Sequence, residues 1–155
     1  MVYIQEGSYD MFDKVVLTNG SFDFFHYGHL KLLQAARELG NSLTVLVDTD
    51  AWLEEQKGNR HFVGENERVQ MLLGLRCVDV VGFIRSEENF LKQVQSIKPA
   101  IYVKGGEYTR DTLKPDGVAK LLDELGTEIV FLPMTDTKTR IAIGLAKSFR
   151  ELFIG

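Results

Sequence analysis

The sequence predicts an α/β protein built on a single doubly wound parallel sheet of five strands. Five short runs of apolar and β-branched residues alternate with segments of helical spacing, which implies parallel pairing through right-handed crossovers. The runs are apolar on both faces, as strands buried between two helical layers are. A length of 155 residues, with 45% hydrophobic and 26% charged residues, is typical of one globular domain, so we expect residues 1–155 to form a single domain.

The first strand is predicted over residues 14–18, and the turn sequence Asn19-Gly-Ser ends it. A helix follows over residues 27–39, where leucine and alanine recur at helical spacing, and Gly40 can stop it. The next apolar run predicts a strand over residues 43–47.

Asp50 can cap a short helix over residues 50–55. A polar segment interrupted by glycines then leads to a helix over residues 67–75 and a strand over residues 78–84. The middle of the chain therefore repeats the alternation of helix and strand.

The remaining part of the chain continues in the same order. Its elements are a helix over 89–97, a strand over 100–104, a helix over 118–125, a strand over 128–132 and a helix over 139–153. In a doubly wound sheet, ligands bind beyond the carboxyl ends of the strands. Four unusual loops fall there, at residues 19–29, 48–50, 104–110 and 133–140.

Composition excludes several classes of protein. The net charge of −4 argues against a general nucleic-acid binder. The single Cys77 cannot form an internal disulfide or a metal cluster, and no apolar run is long enough to cross a bilayer. The N-terminal residues lack the basic and apolar regions of a secretory signal. We therefore expect a cytoplasmic protein without a membrane or nucleic-acid partner.

The turn after the first strand carries two histidines, His26 and His29, around Gly28. A spacing of three residues at a helix start puts both imidazoles on one face, beside free backbone N–H groups and the positive end of the helix dipole. This arrangement suits phosphate groups. Two ordinary surface histidines are the alternative, and a zinc site ranks last because Cys77 and His61 lack metal-ligand spacing.

The segment Gly20-Ser-Phe-Asp-Phe-Phe-His-Tyr-Gly-His resembles the HxGH signature of the cytidylyltransferase-like nucleotidyltransferases. The resemblance implies a Rossmann-like fold of the HUP type and an enzyme that transfers a nucleoside monophosphate from an NTP to a phosphate, releasing pyrophosphate. It implies catalytic roles for His26 and His29, which would hold phosphates. The nucleotide-binding residues implied here are Asn19, Gly20, Ser21, Phe22 and Gly28.

A second block, which begins Lys57-Gly-Asn-Arg and ends at Arg68, is similar to the family's lysine loop. The resemblance implies that Lys57 reaches the α-phosphate; a solvated basic loop is the alternative. The residues implied to bind the acceptor are Asp23, Asp50, Arg60 and Arg68. Arg68 could instead orient an acidic neighbour, and Asp50 could instead cap its helix.

A third block, Tyr-Val-Lys-Gly-Gly-Glu-Tyr over residues 102–108, resembles that of the bacterial heptose 1-phosphate adenylyltransferases, with Glu107 in place of aspartate. Paired glycines at a strand end allow a nucleobase to lie against the backbone, and Tyr108 could pack on it. The nucleotide-binding residues implied are Lys104, Gly105, Gly106 and Tyr108. The alternative is a plain strand-end turn with a core tyrosine.

The chain departs from the family after the fifth strand, where an acidic-glycine turn and Ser-Thr-Thr are usual. Thr135, Thr137 and Thr139 stand there instead and could supply hydroxyl groups to phosphate oxygens. Thr139 is the best match to the second hydroxyl of that motif.

The resemblance favours ATP as the nucleotide and a heptose 1-phosphate as the acceptor, with Mg²⁺ carried in by the NTP and no metal site of the protein's own. A CTP-dependent glycerol 3-phosphate enzyme is one alternative. A non-catalytic nucleotide-binding module is another, suggested by the altered threonine segment. The expected partners are the NTP and a small phosphorylated acceptor, and we expect a homodimer.

Overall fold

One sheet of six strands forms the centre of the computed structural model, which describes residues 2–4, 13–58 and 61–153. The strands are β1 (Val2–Ile4), β2 (Val15–Gly20), β3 (Ser42–Asp48), β4 (Val80–Ile84), β5 (Ile101–Gly105) and β6 (Glu128–Leu132), in the order β1-β4-β3-β2-β5-β6. Strands β2 to β6 pair in parallel, so the predicted five-stranded parallel sheet is confirmed. The short β1, which was not predicted, pairs antiparallel with β4 at the edge.

The described residues contain all six predicted helices. They are α1 (Tyr27–Glu38), α2 (Asp50–Lys57), α3 (Glu65–Leu73), α4 (Glu87–Ile97), α5 (Val118–Glu124) and α6 (Thr137–Phe153), with a 3₁₀ turn at Arg110–Thr112. None of these helices is long and apolar enough to span a membrane.

Capping residues explain where the helices begin. Helix α4 begins two residues before its predicted start because the Ser86 hydroxyl accepts the Asn89 backbone N–H at 3.0 Å. The predicted cap of α2 is wrong: Thr49, not Asp50, caps this helix by accepting the Trp52 backbone N–H at 3.3 Å. Asp50 is the first residue inside the helix, so its carboxylate is left for other contacts.

Alternate residues of each central strand pack on opposite faces of the sheet. In β2, Val16 joins the core beneath α1 and α3, whereas Leu17 joins the core beneath α4 and α5. In β5, Val103 and Tyr102 divide in the same way. Each face therefore buries its own apolar core, which confirms the doubly wound arrangement and explains why these strands are apolar throughout.

The position of the site follows from the connectivity. From β2 the chain proceeds outward to β3 and β4, and from β5 it proceeds outward to β6 on the other side. Strands β2 and β5 are neighbours, so the order reverses between them and their carboxyl ends flank the switch point. The later part of α6 lies at the surface, where Ile143, Leu145 and Leu152 are exposed.

Candidate active site

Three adjoining cavities form a cleft over the carboxyl ends of β2, β3 and β5. The lysine pocket, of about 290 Å³, includes Asp48, Trp52, Lys57, Glu87, Lys104 and Lys114 in its lining. The histidine pocket, of about 520 Å³, includes Phe22, His29, Gly105, Gly106, Thr135 and Thr139. A third cavity of about 280 Å³ is lined by Ser21, Asp23, Phe24, His26, His29, Lys57, Phe62 and Ile141. Asn19, Gly20, Ser21, Lys104 and Tyr108 line both the lysine pocket and the histidine pocket.

The two histidines form a reciprocal cap at the start of α1. The Nδ1 atom of His26 accepts the Gly28 backbone N–H at 3.1 Å, and Nδ1 of His29 accepts the His26 backbone N–H at 3.2 Å. Their rings stack with centroids 3.9 Å apart. Because each Nδ1 is an acceptor, each neutral ring carries its hydrogen on Nε2. The local backbone thus fixes two N–H donors side by side, as the predicted phosphate site requires.

Aromatic rings hold His29 in place. Phe25 stacks on it and the buried Phe22 meets it edge-on, both with centroids 5.4 Å away. Steric crowding explains why residue 28 is a glycine. A Cβ on Gly28 would lie 2.7 Å from Oγ1 of Thr135. Helix α1 and the segment after β6 therefore approach each other closely at this residue.

The threonine segment is organised by its own hydroxyl groups. The Oγ1 atoms of Thr135 and Thr137 are 2.7 Å apart, and Arg140 donates to Oγ1 of Thr137 at 3.3 Å. Helix α6 begins at Thr137, two residues before its predicted start, so Thr139 lies in the first turn of the helix. Both Thr135 and Thr139 line the histidine pocket.

Asp48 and Lys104 face each other in the lysine pocket. Burial lowers the pKa of Lys104, an effect that the positive charge of Lys57 increases and the negative charge of Asp48 opposes. Burial raises the pKa of Asp48, although Lys57, Lys104 and Arg68 oppose the shift. The Nζ atom of Lys104 also lies 4.9 Å from the centre of the Tyr108 ring. The pocket thus concentrates positive charge around one carboxylate.

The glycine pair at the end of β5 allows close packing. A Cβ on Gly105 would lie 2.7 Å from a methyl carbon of Leu32 and 2.9 Å from the sulfur of Met134. Gly106 has a φ of +105°, which favours glycine, and the Tyr108 ring lies over it. Tyr108 is 41% exposed, so the alternative of a core tyrosine is wrong.

Arg68 connects three segments of the chain that surround the site. Its side chain is fully buried and donates to the carbonyl oxygens of Ser21 and Asp48, both at 2.7 Å, and of Val63 at 2.9 Å. It also pairs with the Asp50 carboxylate at 2.7 Å. Partial burial is the largest single effect on the pKa of Asp50 and raises it, but the hydrogen bond from Arg68, a hydrogen bond at Glu65 and the charges of His61 and Arg68 together leave that pKa below its usual value.

Asp23 holds the segment that follows α2. Its carboxylate accepts the backbone N–H groups of Phe62 and Val63, both at 2.9 Å. With Asp50 paired to Arg68, these three predicted acceptor-binding residues use their polar atoms within the protein, which favours positioning roles for them. Arg60, the fourth, lies outside the described residues.

Lys57 ends α2 and lines both the lysine pocket and the third cavity. The third cavity therefore brings together His26, His29 and Lys57, the three residues predicted to be catalytic.

Several residues that line the lysine pocket were not singled out from the sequence, among them Asp48, Trp52, Glu87 and Lys114. A signal existed for Asp48, because a charged residue directly ends a buried strand. The other three carry no local motif and meet only through the fold. Among the described residues, no group of three or more His, Cys, Asp or Glu side chains is placed to hold a metal ion.

Sequence comparison identifies relatives. The model of the cytidylyltransferase-like family matches residues 17–143. Bifunctional protein HldE of Trichlorobacter lovleyi is 39% identical over 129 residues, which are 81% of this chain and 25% of that protein. The protein of the same name from Citrifermentans bemidjiense is 45% identical over 97 residues, which are 62% of this chain and 20% of that protein. The chain spans about a quarter of the length of these curated relatives.

Solved structures agree on the fold. A lipopolysaccharide core biosynthesis protein from Thermoplasma volcanium superposes with a TM-score of 0.61 and 26% identity, covering 79% of this chain and 96% of that one. The pantoate-beta-alanine ligase of Francisella tularensis shares the fold at 16% identity, with a TM-score of 0.53 over 79% of this chain and 59% of its own. Because the family model covers most of the sequence, the chain belongs to the cytidylyltransferase-like family of nucleotidyltransferases.

Proposed function

We propose that the protein transfers AMP from ATP to a sugar phosphate of the heptose 1-phosphate type and releases pyrophosphate. The observation that carries the proposal is the cavity lined by His26, His29 and Lys57 together. It combines two fixed N–H donors at a helix start with the positive charge of Lys57, which are the groups that a transferring phosphoryl centre requires.

In the proposed reaction, an oxygen of the acceptor phosphate attacks the α-phosphorus of ATP in line. The new P–O bond forms as the bond to the β-phosphate oxygen breaks, and pyrophosphate takes the electron pair. The attacking oxygen is already anionic, so the reaction needs no general base, and positioning and charge stabilisation supply the catalysis. Mg²⁺ bound to the triphosphate would offset part of its charge.

We assign a role in this reaction to the two histidines, to Lys57 and to the threonine segment. His26 and His29 donate from Nε2 to phosphate oxygens and to the charge that grows on pyrophosphate. Lys57 neutralises the α-phosphate. The hydroxyl groups of Thr135 and Thr139, which line the histidine pocket, and the N–H groups at the start of α6 would bind the triphosphate.

The choice of adenine rests on the end of β5. The glycine pair and the Tyr108 ring leave a backbone surface on which a purine can lie, and this block resembles that of the adenylyl-transferring branch. A cytosine-specific site with a glycerol 3-phosphate acceptor is the competing assignment.

A panel assay for pyrophosphate release tests the function. ATP and CTP are each offered with a heptose 1-phosphate, mannose 1-phosphate or glycerol 3-phosphate, and the reaction without acceptor serves as the control. We expect turnover with ATP and a sugar 1-phosphate. A preference for CTP with glycerol 3-phosphate would reject both substrate assignments, whereas nucleotide binding without turnover would identify a non-catalytic module. The homodimer is also a proposal, tested by sedimentation velocity.

A further inference from the structure

Part of the lining of the lysine pocket consists of residues to which the proposed function assigns no role. On one side the pocket shares Asn19, Gly20 and Ser21 with the histidine pocket. Its opposite side is built by Trp52 of α2, Glu87 and Phe90 of α4, and Lys114 of the segment before α5. A cavity of about 290 Å³ that continues past the phosphate groups has room for a second small molecule.

Positive charge is distributed along this pocket. Lys57 and Lys104 both line the pocket, and the charge of Lys57 contributes to lowering the pKa of Lys104. Lys114 stands at the mouth and pairs with Asp116 at 2.7 Å in a contact that is largely exposed. An exposed ion pair of this kind contributes little to stability, so a ligand phosphate or hydroxyl can replace Asp116 at small cost.

The remaining groups suit a polyhydroxylated ring. Trp52 is half-buried and packs on the core, which fixes its indole as one wall of the pocket. Flat aromatic faces bind the C–H faces of sugars, and carboxylates accept hydrogen bonds from sugar hydroxyls. Asp48 and Glu87 place two carboxyl groups in the same lining as Trp52.

We propose that the lysine pocket binds a sugar phosphate as the acceptor, with its phosphate near Lys57 and Lys104 and its ring against Trp52. The hydroxyl groups of the ring bond to Asp48 and Glu87, and Lys114 closes the open side. This inference rests on the proposed function, because it assumes transfer to a phosphorylated acceptor. It moves the acceptor site away from the residues that resemblance indicated, and it favours a sugar over glycerol, which would leave Trp52 without contact.

Trp52 is the single tryptophan of the chain, so its fluorescence reports on this pocket alone. The wild-type protein is titrated with mannose 1-phosphate as a stable probe, and with mannose, glycerol 3-phosphate and inorganic phosphate for comparison. We expect a saturable change in fluorescence with mannose 1-phosphate at concentrations where the other three give none. An equal response to inorganic phosphate, or no response to mannose 1-phosphate, would overturn the proposal.

Two variants test the polar groups at the mouth, Lys114→Met and Glu87→Gln. Each should weaken mannose 1-phosphate binding, and raise the KM for the sugar phosphate, about tenfold through the loss of a charged hydrogen bond. The KM for ATP should stay within about twofold, because Lys114 and Glu87 do not line the histidine pocket. The matched controls are Lys120→Met and Glu88→Gln, whose side chains are exposed and lie outside the pocket lining.

The two proposals fail in different ways. A protein that binds mannose 1-phosphate through Trp52 but releases no pyrophosphate would refute the proposed reaction and keep the sugar site. A protein that turns over while neither variant alters the KM for the sugar phosphate, or while both alter the KM for ATP instead, would refute the sugar site and keep the reaction.

Discussion

The pair His26 and His29 and the lysine pocket are built by different means. The orientations of His26 and His29 are fixed by backbone N–H groups within one helical turn, and their rings are stacked. Lys57 and Lys104 come from separate elements, and the pKa of Lys104 is lowered by burial and by the charge of Lys57, whereas the charge of Asp48 opposes the shift. The histidine pair therefore offers a rigid geometry and the lysine pocket offers charge. Substitutions in the first should act on the rate, and those in the second should respond to charge and pH.

The largest effect is expected from His29→Ala, which removes one preorganised donor. We expect kcat to fall by ~10²–10³, because such donors act mainly on the charge that develops in the transition state. The lost cap should lower the free energy of unfolding by about 1 kcal/mol. Steady-state kinetics and chemical denaturation measure the two effects separately. Near-normal turnover would show that the histidine pocket does not hold the reacting phosphates.

A smaller effect is expected from Lys57→Ala. The lysine acts by charge from the end of a helix, so we expect kcat to fall by about 10–100-fold while ATP affinity changes only modestly. Lys92→Ala, an exposed lysine paired with Glu88, is the matched control and should leave kcat unchanged. If calorimetry found ATP binding abolished and the residual kcat intact, the result would show that Lys57 binds ATP before the reaction and does not act on the transition state.

The smallest effect concerns stability and pH at Asp48. Burial raises the pKa of this carboxyl above its ordinary value of 3.8, so the folded protein binds more protons than the unfolded chain just above that pH. Stability contributed by Asp48 must then fall as pH rises through this interval. Relative to wild type, Asp48→Asn should therefore gain stability as the pH rises above the ordinary carboxyl pKa of 3.8. Denaturation at several pH values tests this, and a constant difference between the two proteins would contradict it.

Local patterns in the sequence predicted the parts of the molecule that are locally determined. The central strands were recognisable because neighbours such as Val16 and Leu17 are both buried, on opposite faces of the sheet. The histidine pair was recognisable because His26 and His29 interact within four residues. Both depend on spacing that can be counted along the chain.

Other features depend on contacts between distant segments, and the sequence did not reveal them. Trp52, Glu87 and Lys114 line one pocket although more than 60 residues separate the first from the last. Strand β1 is three residues long, too short to show a period. Strand β2 continues through Gly20 because this residue pairs with Val47, which overrides the local turn signal.

The buried guanidinium of Arg68 should couple the local unfolding of three segments around the site. It binds the carbonyl oxygens of Ser21, Asp48 and Val63 from a fully buried position, so a segment that moves away alone leaves part of a buried charge unsatisfied. The three segments should therefore detach together or not at all, as one cooperative unit. Their amide protons are expected to exchange with deuterated solvent at a common free energy, higher than that of the exposed turn at Arg110–Thr112.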